Sequence, residues 1–219
     1  MKNFQIFLGI ALMAAFMMTS IPADAQSRRD RKDAKKEAKR LAKQDYKTMT
    51  LPLDRQLALY YAKVQELDEE GMPKYLQESS TAVGNTYSTA KMEAVNIAKV
   101  RLAQQISTMV MSQAKIDLGN KQVSAEDAAS YSMALEKSTL MVAQKLNRII
   151  YGQDYYRVLS NKNYEVVVVI LYDSKAVKEM VIEEAREQLK KELDNFTPEH
   201  EKLLENIVDK GVKGSDEEK

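Results

Sequence analysis

The sequence predicts an α+β fold: a small, mainly antiparallel sheet with a long helix hairpin on one face, plus N-terminal helices. Residues 164–172 contain an unbroken β-branched run from Val166 to Ile170, which is typical of a central strand. Residues 89–118 and 125–150 carry apolar side chains at helical spacing and are joined by a short connection, which predicts an antiparallel helix pair. The predicted order of core elements is strand, helix, helix, strand, strand, helix.

Residues 1–25 have the pattern of a secretory signal peptide. Lys2 precedes an apolar run from Phe4 to Met18, and alanines at 23 and 25 place the cleavage site after Ala25. The run is too short for a typical membrane span. The pattern predicts an exported chain that works outside the cytoplasm. The sequence contains no cysteine, so we expect neither a disulfide nor a lipid anchor of the lipobox type.

Residues 26–50 are predicted to form a basic leader that is helical or flexible. Between residues 28 and 47 there are ten Lys or Arg and four acidic residues, so this segment carries about +6, whereas 178–219 carries about −5. Helix formers dominate the leader, but apolar residues are few. It is therefore predicted to be solvated, or alternatively to contact an anionic surface, either membrane headgroups or an acidic partner. The candidate contacts are Arg28, Arg29, Arg31, Lys32, Lys35, Lys36, Lys39 and Arg40.

An α+β domain is predicted over 51–197, opening with an amphipathic helix. Pro52 suits a first helical turn, one apolar face runs from Leu53 to Leu67, and Gly71 ends the helix. A strand is predicted near 79–87. Gly84 within it indicates a bulge or a close backbone approach.

The remaining elements follow from capping and turn residues. Ser88 and Ser124 are the predicted caps of the two long helices. Strands at 155–159 and 164–172 form a hairpin, and Asp173 or Ser174 caps the next helix. Residues 198–219 are predicted to form a short helix and a disordered acidic tail outside the domain.

Part of the chain resembles a known family. A glycine-bearing strand leads into a helix with recurring alanines and an Arg101-Leu102-Ala103 centre, and Tyr155-Tyr156 opens the later hairpin. Over residues 79–175 this is similar to the Lpp-twenty family of bacterial envelope proteins. The resemblance implies an envelope location, in some members near the outer membrane or flagellar apparatus, and it implies no catalytic residues. This chain lacks the lipid-bearing cysteine of many members.

No motif in the sequence predicts catalysis, a metal or a cofactor. His200 is the only histidine and lies between two glutamates, so we expect a dispensable surface residue. Carboxylates are numerous but fall on predicted solvated helix faces. A hydrolase would need two buried acids in one deep pocket, which a sequence alone does not reveal.

The leading hypothesis is a non-catalytic envelope protein, located in the periplasm or associated with the outer membrane. It is expected to bind another envelope protein or a polymer, as a binding or structural module. The alternatives are a carboxylate-based hydrolase and a protein that binds an anionic surface through residues 28–47. Nothing in the sequence indicates a nucleic-acid partner, and the oligomeric state stays open.

We expect signal peptidase to cleave after Ala25, because the small residues at 23 and 25 follow the apolar run. Intact-mass measurement of the exported protein should give a chain beginning at Gln26 or its cyclised form. A mature chain that retains Met1 would contradict the predicted compartment.

Overall fold

The computed structural model describes residues 23–120, 124–146, 149–193 and 196–213. Most of the predicted signal peptide and the last part of the predicted tail, residues 214–219, lie outside the described residues. The elements in chain order are α1 Ala23–Ala42, α2 Leu53–Val64, β1 Tyr75–Gly84, α3 Tyr87–Asn120, α4 Ala125–Lys145, β2 Ile150–Val158, β3 Tyr164–Asp173, α5 Ser174–Glu192 and α6 Pro198–Lys213.

The predicted α+β class is confirmed. The described residues contain a three-stranded antiparallel sheet in the order β1-β3-β2, so β3 is the central strand. The core also keeps the predicted order of strand, helix, helix, strand, strand and helix.

Strand β3 is buried on both faces. Val166, Val168 and Ile170 are fully buried in the main core together with α3. Val169 and Leu171 alternate with them, so they point to the opposite face, where they are also buried. Helices therefore lie on both sides of the sheet, with α3 on one face and α2 against β2 on the other.

The helix pair meets the sheet differently from the prediction. Only α3 lies along β1 and β3, whereas α4 packs on α3 and α5 as a further layer. Strands are about 4.8 Å apart and a helix is about 10 Å across, so one helix is wide enough to cover β1 and β3.

The junction between β1 and α3 lies earlier than predicted. The Thr86 hydroxyl accepts a hydrogen bond from the Thr89 amide at 3.1 Å, so Thr86 rather than Ser88 caps α3. Gly84 ends the strand, and a Cβ there would lie 2.9 Å from the Ala90 backbone nitrogen. The close approach predicted at this glycine is confirmed.

Strand β2 begins at Ile150 rather than near residue 155, and α4 ends at Lys145 rather than at 150. The pairing with β3 shifts register between Tyr151 and Gln153, which forms a bulge at Gly152. A Cβ on Gly152 would lie 2.9 Å from the ring of Tyr60 in α2. Glycine therefore lets α2 approach the sheet.

Helix α6 is longer and more deeply buried than the predicted short C-terminal helix. It packs on α3 and α5, so the main core continues beyond residue 197. A Cβ on Gly211 would lie 2.9 Å from the Cα of Val110, which shows how closely α6 approaches α3. The buried residues of α6 are Leu203, Leu204, Ile207, Val208, Gly211 and Val212.

Introducing a charge at Val168 should destabilise the fold strongly. The side chain is fully buried against α3, and an unpaired carboxylate there costs several kcal/mol or takes up a proton. We expect Val168→Asp to lower the free energy of unfolding by at least about 3 kcal/mol in urea titrations. The control is Thr81→Asp, an exposed position on β1. Equal stability of the two variants would contradict this packing.

Candidate functional site

The basic segment forms a packed helix, not a solvated leader. Ala34 and Leu41 are buried and Ala38 is partly buried, at spacings of four and three residues. These side chains face Leu57 of α2 and form a small second core with Tyr155 of β2. The predicted boundary at residue 50 therefore separates two helices that pack together.

The cations of α1 occupy the side that faces solvent. At about 100° per residue, Lys32, Lys36, Lys39 and Lys43 lie in one line opposite Ala34. We call these four lysines the basic face. All eight cations predicted as contacts are exposed: Arg28, Arg29, Arg31, Lys32, Lys35, Lys36, Lys39 and Arg40.

Asp30, Asp33 and Glu37 lie to one side of the buried stripe of α1, away from the basic face. Asp30 accepts a hydrogen bond from Gln65 at 3.0 Å. Glu37 accepts one from Arg40 Nε at 2.8 Å, and this bond raises the pKa of Arg40. Among the described side chains of α1, Glu37 and Arg40 form the only ion pair. None of the four lysines of the basic face therefore forms an ion pair with a described residue of its own helix.

The turn after α1 attaches α1 and α2 to the sheet. Lys47 and Tyr156 exchange two backbone hydrogen bonds of 2.7 and 2.8 Å at the edge of β2. The Tyr46 hydroxyl donates to Glu165, which also pairs with Arg157 at 2.8 Å. Burial and the bond to Glu165 raise the pKa of Tyr46, so its hydroxyl keeps the proton that it donates.

A second polar link joins α2 and α3 through Asp154 of β2. Its carboxylate accepts hydrogen bonds from Lys91 Nζ at 2.8 Å, from Gln56 Nε2 at 3.3 Å and from the Tyr87 hydroxyl. Burial, followed by the bond to Asp154, raises the pKa of Tyr87 to about 12. Both carboxylate oxygens are engaged, so this acid connects the two helix layers at the sheet edge.

The described residues do not bring two buried acids into one deep pocket, which the hydrolase alternative requires. The buried acids Asp117 and Glu184 lie on different helices, and they pair with Lys210 and Lys145 respectively. Nor do the described ranges contain a group of His, Asp and Glu able to hold a metal ion.

Two depressions lie on either side of α1. The α1–α2 groove has a volume of about 660 Å³. It is lined by Asp30, Arg31, Lys35, Asp54, Arg55, Ala58, Leu59, Ala62, Gln65 and Glu66. Across α1 a second depression contains Tyr61 and the Glu37–Arg40 pair.

Sequence reasoning did not single out several residues of this region. Lys43 could have been found, because it continues the 4-3-4 spacing of Lys32, Lys36 and Lys39. Arg55 and Leu59 joined the candidate site only through the packing of α1 on α2, which no local pattern reveals.

His200 is a capping residue rather than a free surface histidine. Its Nδ1 accepts a hydrogen bond from the Thr197 amide at 3.2 Å, and its own amide donates to the Thr197 hydroxyl at 3.4 Å. This reciprocal pair is a capping box with histidine in the third helical position. The imidazole also contacts the rings of Tyr131 and Phe196. It is partly buried because α6 is amphipathic.

Comparisons with protein-family models, curated proteins and solved structures found no match. Within the described ranges, no helix combines the length and apolar character needed to cross a bilayer. The geometry of α1 and its surroundings therefore carries the functional argument.

His200→Ala should cost about 1 kcal/mol of stability, as for loss of other helix caps, rather than the small change expected of a surface residue. Thermal and urea unfolding measure the difference. Lys202→Ala is the matched control, because Lys202 is exposed on the same helix, and a change within about 0.5 kcal/mol is expected there. If the two variants unfold alike, the imidazole does not stabilise the start of α6.

Proposed function

We propose that this chain is an exported, non-catalytic protein of a bacterial envelope, and that α1 holds it against an anionic, phosphate-bearing membrane surface. The observation that carries the proposal is the basic face: four lysines in line, opposite the buried stripe of α1, with no acid among them. The predicted signal peptide and the resemblance to an envelope family support the compartment.

The size of the basic face suits a flat surface. From Lys32 to Lys43 the helix rises about 16 Å, at about 1.5 Å per residue. Arg28, Arg29 and Lys35 lie beside the line and widen the contact. A basic residue near an anionic bilayer contributes about 1 kcal/mol. Four lysines therefore correspond to a dissociation constant on the order of 1 mM, and each further cation strengthens it.

The contact is peripheral. An inserted amphipathic helix presents large apolar side chains to the lipid, whereas α1 directs Ala34 and Leu41 toward α2. Attraction between exposed charges is screened by salt. The sequence contains no cysteine that could carry a lipid, so the proposed attachment is non-covalent.

The test is co-sedimentation of the exported protein with vesicles of phosphatidylglycerol and phosphatidylcholine. We expect binding that is lost between about 0.1 and 1 M salt, as the Debye length falls from about 10 to 3 Å. Replacing Lys32, Lys36, Lys39 and Lys43 by Gln should weaken binding by at least about tenfold, because about 1 kcal/mol per lysine is removed.

The matched control changes the same net charge elsewhere, with Lys115, Lys175, Lys191 and Lys202 replaced by Gln. All four are exposed and form no ion pair among the described residues. Equal binding by the two variants, or binding that survives 1 M salt, contradicts the proposal. Binding to an acidic envelope protein or polymer, but not to vesicles, assigns the basic face to that other class of partner.

A further inference from the structure

The α1–α2 groove has a floor of apolar side chains. Ala58 and Ala62 lie one turn apart on α2, with Leu59 beside them. Leu59 is 57% exposed although it is a large apolar residue. The small alanines leave room above the helix backbone, and the volume of about 660 Å³ falls within the range of small-molecule sites.

Three cations surround this floor. Arg31 and Lys35 come from α1 and Arg55 comes from α2. All three are exposed, and none forms an ion pair with another described residue. They can therefore bind an external anion without first breaking an internal ion pair.

Of the three acids that line the groove, only Glu66 forms an ion pair with a described residue. Glu66 pairs with Lys63 at 3.0 Å and with Lys74 at 3.5 Å. Asp30 accepts the hydrogen bond from Gln65. Asp54 lies in the first turn of α2, where the helix dipole favours a negative charge. Asp30 and Asp54 keep their negative charges because neither forms an ion pair with a described residue, so the groove has three unpaired cations and two unpaired acids.

An apolar floor with unpaired cations at its rim is complementary to an anionic amphiphile. We propose that the α1–α2 groove binds a single phospholipid molecule, with its phosphate on Arg31, Lys35 and Arg55 and an acyl chain over Leu59. This inference rests on the proposed function, because α1 would bring the groove to the lipid surface. Arg31 and Lys35 lie on the flank of α1 next to the basic face, so the groove opens beside the proposed membrane contact.

The probe is dihexanoyl phosphatidylglycerol below its critical micelle concentration, which presents one lipid and no surface. Amide chemical shifts of the exported protein report where it binds. We expect saturable shifts at Arg31, Arg55 and Leu59, and much weaker binding of dihexanoyl phosphatidylcholine. Glycerol phosphate, which has the headgroup without the acyl chains, should also bind weakly.

Leu59→Gln should weaken binding of the soluble lipid by at least about tenfold, because a polar amide replaces the apolar contact. Leu140→Gln is the matched control, since Leu140 is 62% exposed on α4. Both side chains are exposed, so thermal unfolding should be unchanged. The four-lysine variant of the basic face should still bind the soluble lipid.

The outcomes separate this inference from the proposed function. Vesicle binding without soluble-lipid binding, or equal lipid binding by Leu59→Gln and Leu140→Gln, overturns the groove site and leaves the basic face intact. Equal binding of glycerol phosphate and the lipid also overturns it, since the apolar floor would then contribute nothing. Sedimentation that shows dimers lost in Leu59→Gln would assign the groove to a second copy of the chain.

Discussion

Burial of β3 on both faces is the constraint on which the rest of the structure depends. One side of the strand is covered by α3, so the alternate side chains Val169 and Leu171 need cover from the other direction. Helix α2 supplies part of it through Tyr60, whose ring reaches the bulge at Gly152 and whose hydroxyl donates to Gln77 of β1 at 2.6 Å. The position of α2 then determines where α1 packs, and hence where the lysines of α1 point.

Helix α1 is attached to α2 along one side and exposes its cations along the other. Ala34 and Leu41 bury too little apolar surface to hold the helix alone, so its intrinsic propensity matters, and Lys, Arg, Glu and Ala are all good helix formers. Polar links reinforce the attachment, through Tyr46 to Glu165 and through Gln56 to Asp154. The helix is therefore fixed by short side chains on one side and left free for solvent or a ligand on the other.

The sequence predicted the elements whose signal is local. The β-branched run gave β3, and the caps Ser124 and Asp173 lie where their types suggest. The prediction was wrong where tertiary packing determines which residues are buried. In α6 the acidic residues obscured the apolar pattern around Leu204 and Ile207. In α1 most positions of the buried stripe are alanine, which is too weakly hydrophobic to indicate an apolar face. The groove could not be predicted because it forms only when α1 packs on α2, and the ten residues between these helices carry no local signal of that packing.

Electrostatic repulsion between the lysines of the basic face lowers the stability of α1. Lys32 and Lys36, and again Lys39 and Lys43, are four residues apart, while Lys36 and Lys39 are three apart. Each such pair destabilises an isolated helix by about 0.2–0.5 kcal/mol. A helix arranged for stability alone would place Glu37 or Asp33 within this line. Negative charge supplied from outside would remove this repulsion, so the proposed contact with an anionic surface would stabilise α1.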